Sequence, residues 1–128
     1  MYEITVDRTF CAAHAIVIAG EREPVHGHNW HVRATIVGEE LDGDGLLCDF
    51  HAVDHWLAQV CEPMTNQNLN EVAPFDTLNP TAEHVARHIA KELNGCLRRA
   101  LGHSVRVASV RVTEAEGCSA TFRLTGGS

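Results

Sequence analysis

Three histidines have the residue type and spacing of a metal site. His26 and His28 lie two residues apart, so in an extended strand their imidazoles share one face. His14 ends an earlier apolar run and can join them from a neighbouring strand. Three neutral nitrogen ligands with one open position are the usual make-up of a catalytic zinc site. Polar surface histidines are the alternative, but the three together favour a metal, with Zn²⁺ as the expected cofactor.

Glu114 and two histidine pairs are further candidates. Glu114 follows an apolar strand, and its carboxylate is either solvated or placed to bond an amidine-like N–C–N edge with both oxygens. The pairs His51/His55 and His84/His88 each lie four residues apart on a predicted helix. Exposed histidine on a polar helix face is the favoured interpretation of both pairs, and a second metal is the alternative.

Alternation of apolar and polar residues predicts four strands. They cover residues 2–14, 26–37, 105–114 and 118–124. A loop is expected over residues 15–25, and a turn through Gly117 joins the last two strands. Apolar residues occur on both parities of the third strand, which predicts a bulge near Ala108.

Helical spacing of apolar residues predicts two helices, one on each side of an irregular segment at residues 62–78. Asp49 is the expected N-cap of the first helix. Asn79 and Pro80 are the expected N-cap and first residue of the second, which ends at Gly102. The apolar positions at helical spacing are Phe50, Val53, Trp56, Leu57, Val60 and Cys61 in the first helix, and Val85, Ile89, Leu93 and Leu97 in the second.

The resulting element order, β-β-α-α-β-β, predicts the α+β class. We expect a four-stranded antiparallel sheet with two helices on one face. One domain is expected over residues 1–125, followed by a frayed tail at 126–128. Because four strands leave two open edges, which closure into a barrel between chains would remove, an oligomer is also expected.

Composition excludes several classes of protein. The 128 residues, 45% hydrophobic and 21% charged, fit one globular domain. A formal net charge of −7, with Lys91 as the single lysine, argues against a nucleic-acid partner. No apolar run approaches the ~20 residues of a membrane helix, and no signal-peptide pattern opens the chain. Five scattered cysteines without a CxxC pair favour a reduced compartment, so a cytoplasmic location is expected.

A set of short motifs occurs in a recognisable order along the chain. They are Phe10-Cys11-Ala12-Ala13-His14, His26-Gly27-His28-Asn29-Trp30, Asp49-Phe50, Asn79-Pro80-Thr81-Ala82-Glu83 and Val112-Thr113-Glu114. Together they resemble the 6-pyruvoyl-tetrahydropterin synthase and 6-carboxy-tetrahydropterin synthase family over essentially the whole chain. The resemblance implies a tunnelling fold, in which trimers close a barrel and two trimers stack into a homohexamer with sites between subunits.

The resemblance also implies roles for particular residues. It implies Zn²⁺ on His14, His26 and His28, and a pterin ring anchored by Glu114 with Thr81 nearby. The implied substrate is 7,8-dihydroneopterin triphosphate, the family's usual one, and the implied branch is either queuosine biosynthesis or a tetrahydrobiopterin-like pathway.

The sequence departs from the family pattern at three places, and all three concern catalytic or phosphate-binding residues. The loop before His-Gly-His has no cysteine to abstract a proton, and Ala15 stands where the family has a basic residue. Thr65 and Asn66 occupy the positions of the family's Asp-His proton relay, and neither side chain titrates near neutral pH.

Glu21 and Glu23, in that same loop, are the candidate replacement bases. A carboxylate near an apolar, metal-bearing pocket can be tuned for general-base catalysis. Such a base favours cleavage of the pterin side chain, so the first hypothesis is a zinc-dependent lyase. The second is a non-catalytic, zinc-containing protein that binds a pterin or purine-like ligand. A structural zinc protein fits least, since three ligands leave the ion open.

Overall fold

A long antiparallel pair of strands forms the centre of the computed structural model, which describes residues 1–125. The strands of the fold are β1 (Tyr2–His14), β2 (Val17–Ile18), β3 (Glu21–Arg22), β4 (His26–Gly38), β5 (Gln67–Asn68), β6 (Val105–Ala115) and β7 (Cys118–Arg123). The helices are α1 (Phe50–Cys61) and α2 (Ala82–Leu101). Strands β1 and β4 pair along their whole length, from Tyr2 opposite Gly38 to His14 opposite His26. The α+β class is confirmed.

The main sheet has one strand more than predicted and is mixed. Its order is β5-β1-β4-β6-β7, and β5 runs parallel to β1 beside Ala12 and Ala13. The prediction of a purely antiparallel four-stranded sheet was therefore wrong at this edge. The backbone N–H of Asn66 donates to the Cys11 carbonyl at 2.7 Å and starts this pairing. A two-residue strand shows no alternation, which is why the segment looked irregular.

The segment between β1 and β4 is also more ordered than the predicted loop. Strands β2 and β3 form a small hairpin, with Val17 opposite Arg22 and Ile18 opposite Glu21. Its turn residues Ala19 and Gly20 have φ of 52° and 81°. Two consecutive residues with positive φ give a turn whose twist matches that of the strands on either side.

Both helices pack on one face of the sheet, as predicted. Asp49 caps α1 by accepting from the N–H of His51 at 2.9 Å, also as predicted. The N-cap predicted for α2 was wrong: Thr81, not Asn79, caps it, and the helix begins at Ala82. Gly102 ends α2 with φ of 72°.

The core lies between the helices and the inner face of the sheet. The predicted stripe of α2 is fully buried at Val85, Ile89, Leu93 and Leu97. Phe50 was predicted in the α1 stripe and shares a helix face with Val53 and Leu57, but it is 54% exposed because it is the first residue of the helix. Neither helix within residues 1–125 is both long and apolar enough to cross a membrane. The tail predicted at 126–128 lies outside the described residues.

Two irregularities interrupt the register of β6. The pairing with β4 passes from Thr35–Ser109 to Ile36–Val107, so Ala108 is the extra residue and the predicted bulge is confirmed. The pairing with β7 shifts between Thr113 and Ala115, which leaves Glu114 without a partner across the strand. Such a bulge redirects the side chain at its position.

Candidate metal centre

The register of β1 and β4 brings the three predicted histidines together. His14 lies opposite His26, and Ala12 lies opposite His28, so all three imidazoles share one face at one end of the strand pair. The ring centroids are 4.8 Å apart for His14 and His26, 5.1 Å for His14 and His28, and 4.6 Å for His26 and His28. His14 is fully buried. The predicted cluster is therefore present as a geometric unit.

Glu114 joins this cluster from the bulge in β6. Its Oε1 lies 3.1 Å from His28 Nε2 and 3.4 Å from His14 Nε2. One ligand atom from each of His14, His26, His28 and Glu114 lies within 4.8 Å of all the others. Sequence reasoning placed Glu114 at a ring-binding pocket, and the structure places its carboxylate directly beside the histidines.

Backbone carbonyls fix the tautomers of two of the histidines. His14 Nδ1 lies 2.8 Å from the Pro80 carbonyl, and His26 Nδ1 lies 3.0 Å from the Pro24 carbonyl. A carbonyl oxygen only accepts, so the hydrogen of each neutral ring is on Nδ1. The lone pair is then on Nε2, the nitrogen free to bind a metal.

The Nε2 atoms of His14 and His28 are the clearest sign of a missing partner. Both are buried, and neither has a hydrogen-bond partner within residues 1–125. A Glu114 oxygen lies near both nitrogens, but neither contact forms a hydrogen bond. Buried polar atoms without partners are rare in folded proteins. A cation held between these atoms satisfies all of them, so the donor set fits Zn²⁺.

Burial favours the neutral, metal-binding form of His28. Removal from water lowers the pKa of His28, Glu114 acts in the opposite direction, and His14 and His26 lower it further. A lowered pKa favours the neutral imidazole, which is the form that binds a metal.

Trp30 forms the floor of the site. Its ring is fully buried and contacts the rings of His14 and His28 edge-on, with centroids 4.8 Å and 5.7 Å away. Its Nε1–H donates to the Ala12 carbonyl at 3.0 Å. The indole thereby packs against two of the three imidazoles and holds the end of β1 against β4. Sequence reasoning used Trp30 only as part of a motif and missed this role.

Two asparagines, which sequence reasoning also missed, hold the chain just after His14. Asn70 accepts from the Ala15 N–H at 2.8 Å and donates to the Ala15 carbonyl at 2.9 Å. Asn79 makes the same pair of bonds with Val17, both at 2.9 Å. Each side-chain amide acts as a short piece of partner strand, so β1 continues in effect past His14. No periodic pattern marks such contacts in the sequence.

The candidate bases lie on the hairpin, away from the metal-facing nitrogens. Glu23 Oε1 accepts from the Ile16 N–H at 3.1 Å and lies 3.7 Å from His26 Nδ1, on the side of that ring opposite Nε2. Glu21 is exposed in β3. The structure therefore groups Glu114 with the histidines and leaves Glu21 and Glu23 at the rim.

Thr81 lies one residue from a carbonyl that bonds a metal-site histidine. The Pro80 carbonyl accepts from His14, and Thr81 Oγ1 accepts from the His84 N–H at 3.1 Å. The hydroxyl oxygen of Thr81 therefore caps α2, and within residues 1–125 its hydrogen donates to no other group.

The two positions that the family resemblance assigns to a proton relay, Thr65 and Asn66, make local structural contacts. Thr65 Oγ1 donates to the Cys61 carbonyl at 2.8 Å, and Asn66 has a left-handed backbone with φ of 60°. Asn66 and His28 both line an open cavity of about 560 Å³ at this edge of the sheet. Of the two positions, Asn66 thus faces the same cavity as His28, and its amide side chain does not titrate.

The helix histidine pairs do not form part of the site. His84 Nδ1 bonds the Asn79 carbonyl at 2.7 Å, and His88 packs edge-on against Phe75. Within residues 1–125, neither His51/His55 nor His84/His88 belongs to a group of three potential metal ligands. A second metal at either pair gains no support.

Comparisons with known proteins agree with this architecture. A family model described as 6-pyruvoyl tetrahydropterin synthase matches residues 3–125. The 6-carboxy-5,6,7,8-tetrahydropterin synthase of Bacillus subtilis is 32% identical over 98 residues, which cover 69% of this chain and 62% of that protein. The matched part thus spans less than two thirds of the relative's length.

Solved structures show the same fold. The 6-pyruvoyl tetrahydropterin synthase of Caenorhabditis elegans has a TM-score of 0.80 at 21% identity, covering 98% of both chains. That of Plasmodium vivax has a TM-score of 0.77 at 22% identity, covering 94% of this chain and 96% of the other. With a family match over almost the whole length and a fold that superposes closely, this chain belongs to the 6-pyruvoyl tetrahydropterin synthase family.

Proposed function

We propose that this protein is a zinc-dependent lyase that acts on the side chain of a dihydropterin such as 7,8-dihydroneopterin triphosphate. The observation that carries the proposal is the convergence of His14, His26 and His28, with two buried Nε2 atoms lacking hydrogen-bond partners. The family match supports the pterin class of substrate. We further propose that residues 1–125 form one domain.

His14, His26 and His28 would hold the ion. Zn²⁺ bound there would polarise an oxygen of the pterin substituent, as metals do in hydrolases and lyases. Glu114 is suited to bond the N–C–N edge of the ring through both oxygens, and the Thr81 hydroxyl can donate a hydrogen bond beside it.

The proton is taken by a carboxylate, with Glu21 and Glu23 as the two proposed bases. A proton leaves a side-chain hydroxyl for the carboxylate, a carbonyl forms at that carbon, and the C–C bond to the carbon attached to the ring breaks. The released electron pair forms a C=C bond to the ring carbon, the π pair of the ring's C=N bond moves onto its nitrogen, and that nitrogen takes up the proton. A base of this kind has precedent in the Plasmodium vivax relative, one of whose solved structures carries alanine in place of a glutamate described as a catalytic residue.

Non-catalytic binding of a pterin or purine-like ligand is the second candidate function. The observation that favours it is that polar side chains expected to move protons are bonded to the backbone instead. Glu23 bonds the Ile16 backbone, and Thr65 bonds the Cys61 carbonyl at a relay position. A protein that had lost its proton chemistry would retain the metal and the ring anchor in just this way.

We also propose that the chain assembles into a homohexamer with sites at subunit interfaces. The outer edge of β7 is open in the described part of the chain, and β5 covers the outer edge of β1 only at Ala12 and Ala13. Open edges of this length are suited to pairing with further copies. A role in queuosine biosynthesis and a cytoplasmic location, without membrane or nucleic-acid partners, remain predictions.

The deciding experiment is incubation of the zinc-loaded protein with 7,8-dihydroneopterin triphosphate, followed by mass spectrometry of the products. The lyase requires a new pterin product and loss of turnover in Glu21→Gln or Glu23→Gln. Glu40→Gln, a charge change on an exposed loop, is the matched control and is expected to turn over normally. Tight pterin binding with no product would instead establish the binding protein.

A further inference from the structure

The proposed function does not explain why Glu114 lies so close to the metal-facing nitrogens of His14 and His28. An anchor for a ring has no need to approach two imidazoles, yet Glu114 Oε1 lies 3.1 Å from His28 Nε2 and 3.4 Å from His14 Nε2. The position is built into the backbone, because Glu114 is the bulged residue opposite β7.

One of the two distances matches the edge length of a metal coordination tetrahedron, and the other is slightly shorter. Zinc bonds nitrogen and carboxylate oxygen at about 2.0–2.2 Å, so neighbouring ligand atoms of a tetrahedral site lie roughly 3.3–3.5 Å apart. The contacts from Glu114 to His28 and His14 lie at or near that separation. They do not form hydrogen bonds, and a cation between the three atoms would be bonded by all of them.

Charge supports the same conclusion. The Glu114 side chain is only 26% exposed, and the basic groups beside it within residues 1–125 are the imidazoles of His14 and His28, which carry no charge as neutral metal ligands. A shielded carboxylate needs a cation or several hydrogen bonds to offset the loss of water. A divalent ion among the three imidazoles meets that need.

We propose that Glu114 is a fourth ligand to the metal in the protein without substrate, which closes the coordination sphere. The proposal rests on the metal centre of the proposed function. Because bidentate bonding to the N–C–N edge turns both carboxylate oxygens toward the ring, Glu114 leaves the metal as it takes the ring edge. Ligand binding and the opening of a metal position then become one event.

The test uses full-length protein loaded with Co²⁺, whose visible absorption reports its ligands, and azide as a small probe of an open position. Azide is expected to leave the wild-type spectrum unchanged and to alter that of Glu114→Gln and Glu114→Asp. Asp retains the charge but is one methylene too short to reach the metal. Glu116→Gln, an exposed neighbour, is the matched control and should behave as wild type.

Zinc affinity, measured by competition with a chelator, gives a second readout. Loss of even a hydrogen-bond partner of a metal ligand typically costs roughly 10–100-fold in affinity. Glu114→Gln should therefore bind zinc at least about 10-fold more weakly than wild type and Glu116→Gln. An azide response in wild type equal to that of Glu114→Gln, with unchanged zinc affinity, would overturn the proposal and leave the metal centre intact. If wild type binds neither metal, the metal centre itself fails.

Discussion

Replacing Asn70 or Asn79 by alanine removes the same pair of hydrogen bonds from two places that differ in burial. Asn70 bonds both backbone groups of Ala15, which is fully buried. Asn79 bonds both backbone groups of Val17, which is 45% exposed. The two substitutions therefore separate the cost of an unsatisfied backbone group from the loss of a hydrogen bond that water can replace.

The difference in burial sets the expected magnitudes. In Asn70→Ala the N–H and carbonyl of Ala15 lose their partners where water does not reach, at about 1–3 kcal/mol for each group, or roughly 2–6 kcal/mol together. In Asn79→Ala water can reach the Val17 backbone, so we expect a net loss of about 1–2 kcal/mol for the two bonds.

Urea unfolding of the metal-free proteins measures both costs, provided that the slope of free energy against urea is unchanged. Asn70→Ala should also bind zinc more weakly, because Ala15 directly follows His14. If Asn79→Ala destabilises the fold as much as Asn70→Ala, the argument from burial is refuted.

Three further tests, using four substitutions, examine the fold. Burial lowers the pKa of His88 from its ordinary 6.5; the unfolded chain then binds more protons, so stability should fall as pH drops through about 6.5, and urea unfolding of His88→Gln should depend less on pH. Leu93→Ala should cost about 2–5 kcal/mol because Leu93 is fully buried, whereas Phe50→Ala, at an exposed site, should cost about 0.5 kcal/mol or less in the same assay. Gly38→Ala would place a Cβ 2.8 Å from the Ser104 carbonyl, so thermal unfolding should show a loss of about 1–3 kcal/mol, and an unchanged melting temperature would contradict this close packing.

The metal ligands could be predicted because side chains two residues apart in a strand point to the same face of the sheet. His26 and His28 must share a face in any extended strand. Once the strand ending at His14 pairs antiparallel with the strand beginning at His26, the short connection between them sets the register. The bulge at Ala108 could be predicted equally well. Apolar residues occur at both odd and even positions of this strand, and they cannot all face the core unless a bulge shifts the alternation.

The remaining parts of the site depend on contacts that leave no local pattern. Asn70 and Asn79 bond backbone groups 55 and 62 residues away, and neither contact has a period or a motif. The approach of Glu114 to the histidines depends on a one-residue shift against β7. The start of α2 was misplaced because Asn79 and Thr81 are both good capping residues, and Asn79 is used elsewhere, on Val17.

Metal analysis of the purified protein tests the central claim most directly. The three-histidine centre predicts one zinc per chain in wild type and a nearly complete loss in His28→Ala, with the fold retained. His55→Ala, which removes an exposed helix histidine, is the matched control and should keep its zinc. Undiminished zinc in His28→Ala would contradict the site and the metal-dependent chemistry proposed for it.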